Sequence, residues 1–130
     1  ECRPNELITK LSFKLPQTDS LRIYKNSIRK DLDISTVNVA INTELEQGQF
    51  KSVFIGAGGI SAIPLRLIKA EKYLLGKKLT KENIEAVCKI AQTEFKPLSD
   101  VRASAAYRRI VVHNFLSGLF LNGERCNARK

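Results

Sequence analysis

Gly56-Ala57-Gly58-Gly59-Ile60-Ser61 is the stretch of this chain nearest in type to a phosphate-binding loop. Such a loop needs glycines so that backbone N–H groups can approach phosphate oxygens at a helix N-terminus. Here Ser61 stands where the third glycine of GxGxxG belongs, and no strand–helix–strand order precedes it. The residues therefore read as a tight strand exit that needs positive φ or close backbone packing. His113 is the single histidine and falls inside a helical pattern with no nucleophile–acid pair nearby. It reads as a helix-surface or interface histidine and not as a general base. Cys2, Cys88 and Cys126 are odd in number and form no CxxC pair. That argues against a disulfide framework and against a structural zinc site. Cys88 falls on an apolar helical face, as a buried, unreactive thiol would. No catalytic residue and no metal ligand is assigned.

Two charged features remain. Glu71 falls within an apolar helical arc, where a buried carboxylate needs a partner. Arg102 is the candidate partner; the alternative is a solvated carboxylate at the rim of the arc. Lys25, Arg29, Lys30, Asp31 and Asp33 form a dense charged run between two predicted strands. Chemistry alone reads such a run as a solvated loop. The functional alternative is a lip that meets a charged cofactor or partner.

The elements that carry these residues divide the chain in two. In the first half, Leu7, Thr9, Leu11, Phe13 and Leu15 alternate with Ile8, Lys10, Ser12 and Lys14, a period of two that predicts a strand ended by Pro16. Leu21–Lys25 predicts a second strand. Val37, Val39 and Ile41 alternate with Thr36, Asn38, Ala40 and Asn42 in a third. Gln47-Gly48 makes a turn, and Phe50–Ile55 returns as a fourth. Short connections favour an antiparallel meander.

The second half predicts three helices. Pro64 and Gly76 bracket the first, with Leu67, Ile68, Ala70, Leu74 and Leu75 on one arc. Thr80 caps the second, whose stripe is Ile84, Val87, Cys88, Ala91 and Phe95. The third runs from near Ser104 to about Leu121, and its apolar surface is broad enough to be covered on more than one side. Strands first and helices second predict an α+β domain, with an antiparallel sheet of three to four strands packed against three helices. Residues 1–122 form the domain and 123–130 a polar tail.

Composition bounds the rest. The chain has 130 residues, 43% of them hydrophobic and 27% charged, which is ordinary for one globular domain. It contains no Met, so it reads as a fragment or a processed product. No run of about 18 apolar residues is present, so no membrane span is expected. The net charge is +9. That charge is compatible with nucleic acid, an anionic cofactor or an acidic partner. The basic pairs are scattered and not interleaved with aromatics, so no specific nucleic-acid platform is expected. Cysteine usage fits a reducing, cytoplasmic setting.

Three ordered stretches then add a resemblance: Tyr24-Lys25-Asn26-Ser27-Ile28-Arg29-Lys30-Asp31-Leu32-Asp33-Ile34-Ser35, Ile55-Gly56-Ala57-Gly58-Gly59 through Pro64 and Arg66, and Pro97–Arg108 with its RASxxYR pattern. Leu74-Leu75-Gly76-Lys77-Lys78-Leu79-Thr80 joins them. The set resembles the C-terminal domain of the FAD-binding module in the xanthine dehydrogenase (molybdenum hydroxylase) family, with the fold of CO dehydrogenase flavoproteins. It is most similar to the bacterial xanthine dehydrogenase small subunit. The resemblance implies FAD, held mainly by a preceding domain. It also implies an iron–sulfur part with [2Fe–2S] clusters, a molybdenum-cofactor subunit, and NAD as acceptor during purine hydroxylation. Related family members act on CO, aldehydes or N-heterocycles. Lys25, Ile8 and Asp33 are the implied flavin-side residues, which turns the charged run into a flavin lip. The RASxxYR stretch reads as a structural helix entry, with Ser104 as cap and Arg102 and Arg108 paired to acids.

Overall fold

The computed structural model describes residues 3–14, 20–29 and 32–127, with side chains up to Gly118. Strands β1 (Leu21–Asn26), β2 (Val37–Glu46), β3 (Gln49–Gly58) and β4 (Leu65–Arg66) form one antiparallel sheet in chain order. Helices α1 (Ile68–Leu74), α2 (Lys81–Ala91) and α3 (Ala105–Asn127) follow. The α+β architecture is the one the sequence predicts.

Alternation in the strands decides which face carries the helices. Val37, Val39 and Ile41 of β2 and Val53, Ile55 and Ala57 of β3 are buried, and they meet Leu67, Ala70, Leu74, Val87, Ala91, Val112 and Leu116 from the helices. Gln47 and Gly48 turn β2 into β3 with φ of 51° and 78°. Two central residues at positive φ match the right-handed twist of a hairpin. The register shifts beside Glu44/Leu45, where Lys51 is the extra residue with no opposite number on β2. That bulge lets Phe50 and Val53, three residues apart, both face the core.

Two predicted elements differ. Residues 7–14 form no strand, and Leu7, Ile8, Leu11 and Phe13 are exposed; Leu15 and Pro16 lie outside the described residues. A period-two segment becomes a strand only where a sheet edge receives it, and all four strands here come from elsewhere. The fourth strand is instead Leu65–Arg66, which the sequence places in the first helix. Arg66 lies opposite Gly56, and the Leu67 N–H donates to the Ile55 carbonyl at 2.9 Å. Pairing with β3 satisfies the backbone groups of that edge, and α1 begins only afterwards.

The helices otherwise follow their patterns. Thr80 caps α2, accepting the Asn83 N–H at 3.4 Å. Ile84, Val87, Cys88, Ala91 and Phe95 are all buried. Val111, Val112 and Leu116 of α3 are buried, and Phe115 stacks on Tyr24 of β1 with centroids 5.1 Å apart. The helix continues past Leu121 to Asn127.

Candidate functional site

The sheet face opposite the helices has a floor of small residues. Across the strands, Lys25, Asn38 and Gly58 form one row; Ile23, Ala40, Gly56 and Arg66 the next; Leu21, Asn42 and Phe54 a third. Ile23 is 71% exposed and Phe54 49%. Between Leu21, Ala40, Asn42, Phe54, Gly56 and Arg66 lies an open depression of about 270 Å³. The Arg66 guanidinium covers one wall, 5.0 Å from the Phe54 ring centroid. Sequence reading of the strands shows this alternation of small and polar residues, but their union into one floor depends on a register that only pairing fixes.

Lys25 sits at the corner of that floor, and its Nζ donates to the Asp33 carbonyl at 2.8 Å. The Asp33 carboxylate accepts the Arg29 N–H at 2.8 Å and the Ile34 N–H at 2.9 Å, with the Arg29 guanidinium 3.7 Å away. Chiefly the Arg29 N–H bond, with Ile34 and the Arg29 charge adding, holds its pKa below the ordinary aspartate value. The charged run is thus a folded-back loop and not a freely solvated one. It displays Ile28, Leu32 and Ile34, the second 98% exposed; Lys30 and Asp31 lie outside the described residues. Lys25 and Asp33 are brought together. Ile8 lies in the unpaired segment, exposed, and joins neither the sheet nor the core.

The first turn of α3 holds the base of this loop. The Thr36 N–H closes it onto the Asn26 carbonyl at 2.8 Å, and Asn26 Nδ2 donates to the Tyr107 hydroxyl at 3.2 Å. Arg108 is buried and donates to the carbonyls of Thr36 and Gly59 and to both Asp100 oxygens, each of these two at 2.8 Å. Asp100 also accepts the N–H groups of Arg102 and Ala103, which, with Arg108, lower its pKa. Ser104 caps α3, accepting the Tyr107 N–H at 3.1 Å.

The remaining candidates resolve structurally. Gly56 and Gly58 lie inside β3, and a Cβ on Gly58 would stand 2.7 Å from Asn38 Oδ1. Gly59 has φ of 76°, and a Cβ there would collide with the Thr36 carbonyl. The stretch is a strand exit and not a phosphate cradle. Glu71 is buried, as a partnered carboxylate, but its partner is Arg66 at 2.6 Å and not Arg102, which is exposed. Glu71 also accepts the Ile55 N–H at 2.8 Å. β4 puts Arg66 at that carboxylate, and the helical reading of residues 64–76 hid the pair. His113 is exposed on α3, and Cys88 is a buried free thiol whose pKa burial raises. Among the described residues no cluster of His, Cys, Asp and Glu could hold a metal ion, and no helix is long and apolar enough to cross a membrane.

Residues 22–122 match the family model of the CO dehydrogenase flavoprotein C-terminal domain. The chain belongs to that family. It is similar to the glyceraldehyde dehydrogenase medium chain of Sulfolobus acidocaldarius, at 30% identity over 108 residues, covering 82% of this chain and 38% of the relative. The xanthine dehydrogenase FAD-binding subunit of Escherichia coli O157:H7 is 28% identical over 85 residues, covering 65% of this chain and 29% of the subunit. The reconstituted CO dehydrogenase from Oligotropha carboxidovorans superposes with a TM-score of 0.71 at 28% identity, over 79% of this chain and 36% of that one. The chain therefore spans well under half of each relative. These relatives carry different substrate names, so family membership is broader than the xanthine branch.

Proposed function

We propose that this flavoprotein domain closes over the flavin in the FAD subunit of a molybdenum hydroxylase, with Lys25 as the cation at the flavin's edge. The observation that carries the reading is the Lys25–Asp33 corner, a fixed ammonium beside a sheet face on which Ala40 and Gly56 lie between exposed Ile23 and Phe54. One Lys25 donor is engaged by the Asp33 carbonyl, which leaves two for an anionic or carbonyl edge. A reduced flavin ring gathers negative charge, and a preplaced cation favours it electrostatically. Exposed Ile23, Ile28 and Ile34 offer apolar surface beside that cation. Asp33 acts by shape: its carboxylate holds the loop and its carbonyl holds the ammonium. Ile8 is proposed on the resemblance alone. Among the described residues the dinucleotide phosphates find no cradle, because Gly58 and Gly59 are held by close packing against Asn38 and Thr36, so a preceding FAD-binding domain holds them.

FAD supplies the hydride chemistry when bound. The reading places this domain on a path from [2Fe–2S] clusters through FAD to NAD, serving a molybdenum-cofactor subunit that hydroxylates a purine in a cytoplasmic enzyme. An aldehyde is the second substrate reading, favoured by the broad match to a glyceraldehyde dehydrogenase medium chain. The test is Lys25→Ala in the complete FAD subunit within its enzyme. Flavin content or NAD reduction should fall, the latter on the order of 10-fold, while oxidation of substrate by an artificial acceptor stays near normal. Unchanged flavin content and NAD turnover would remove Lys25 from the site. A panel of purine, aldehyde and CO substrates decides between the substrate readings.

A further inference from the structure

The segment before β1 has a strand's pattern and no sheet. Leu7, Thr9, Leu11 and Phe13 fall on one side of an extended chain, and Ile8, Lys10, Ser12 and Lys14 on the other. Leu7, Leu11 and Phe13 are 85%, 81% and 79% exposed. None of residues 7–14 pairs with any of the four strands, and none belongs to the core. The family domain begins only at residue 22. Three large apolar side chains on one side of an unpaired extended segment form a template for another sheet.

We infer that residues 7–14 are a β-strand completing the sheet of a neighbouring domain in the FAD subunit, with Leu7, Leu11 and Phe13 packed into that domain's core. The inference rests on the chain being part of a FAD subunit, as proposed above. Two observations select this occupant over a second copy of the chain. The relatives are subunits of which this chain covers 38% or less, so most of each lies in other parts that can offer a sheet edge. A second copy would have to bring its own segment to β1, the long outer strand of the sheet. Lys10 and Lys14, which share one face, would then lie on the side of either Arg22 or Lys25, which point to opposite faces of β1, in a chain of net charge +9. Like charges set across a strand pair are destabilising. The Pro16 that follows cannot donate to a ladder, which separates this strand from β1. Thus the segment would act as a staple, carrying the domain that bears Lys25 to the domain that holds the dinucleotide.

Hydrogen exchange read on residues 7–13 tests this in the complete FAD subunit and in the 130-residue chain. Slowing by at least ~100-fold in the subunit, with free exchange in the chain, is expected for a strand inside a sheet. Leu11→Glu should lower the thermal midpoint of the subunit by several degrees and leave that of the chain unchanged, whereas Lys10→Glu should spare both. Free exchange of residues 7–13 in the complete subunit would overturn the inference. So would concentration-dependent dimerisation of the 130-residue chain that Leu11→Glu abolishes, since the occupant is then a second copy. The flavin reading stands or falls separately, on the Lys25→Ala half-reactions.

Discussion

At the residue scale, Gly48 and Gly59 share a backbone conformation but not an environment. Both have positive φ, 78° and 76°. A Cβ on Gly48 meets open space, while one on Gly59 meets the Thr36 carbonyl and the Arg108 guanidinium. Gly48→Ala should therefore lose only the left-handed penalty, about 1 kcal/mol. Gly59→Ala adds a collision at the foot of the lip and should cost more than about 3 kcal/mol by urea unfolding, with equal losses counting against the packing role. Glu71→Ala leaves the Ile55 N–H buried without an acceptor, a loss of about 1–3 kcal/mol, whereas the half-exposed Arg66 regains water. Gln at the same position keeps an acceptor and should cost less. The need for backbone freedom around Gly59 was legible in the sequence, because a glycine run with Ser61 in place of the third glycine and no strand–helix–strand order before it reads as a tight strand exit. Arg66 as the partner of Glu71 was not, since that pairing exists only once residues 65 and 66 leave the helix for the sheet edge.

At the element scale, the entry to α3 ties the helix to the sheet. Ser104→Ala removes a cap and should cost about 1 kcal/mol. Asp100 holds Arg108 from the loop before the helix, and its pKa is lowered from 3.8 by the Arg102 and Ala103 N–H groups and by Arg108. A carboxyl whose folded pKa is depressed adds stability that is full above its unfolded value and vanishes as pH falls through the folded value. The clamp should thus be intact above about pH 4 and fail below it. Asp100→Asn should have a lower thermal midpoint than the parent at pH 6, with the gap closing toward pH 2. A gap constant across that range would mean that the charge of Asp100 contributes nothing. Element identity was legible wherever an element buries its own face within this domain, as in β2, β3 and the stripe of α2. It failed in residues 7–14 and 65–66 for one reason. Periodicity reports that a segment belongs in a sheet or helix, while the edge that receives it is set by tertiary pairing.

At the scale of the whole molecule, the domain folds around its own core, and the sheet face proposed to meet the flavin is exposed among the described residues. The helices close one side of the sheet; the other side carries Lys25, the small-residue floor and exposed Phe54 and Ile23. Family membership was legible because the lip, the strand exit and the entry to α3 are all contacts within this domain, so their residues are fixed in order and spacing. The substrate was not, since relatives that share this domain carry different substrate names. The same division predicts how the chain behaves alone. With no phosphate cradle among the described residues, it would offer FAD only one side of an enclosure. Most of the affinity for a dinucleotide comes from backbone N–H groups aimed at its phosphates. The purified 130-residue chain should therefore show no flavin absorbance near its visible bands after gel filtration with excess FAD. The complete subunit should retain its flavin through the same column. Stoichiometric flavin on the chain alone would place the phosphate site on this domain. Weak binding of DNA that fades steeply with salt is expected from the charge of +9 and carries no specificity, whereas sequence-specific, salt-resistant binding would contradict the flavoprotein reading.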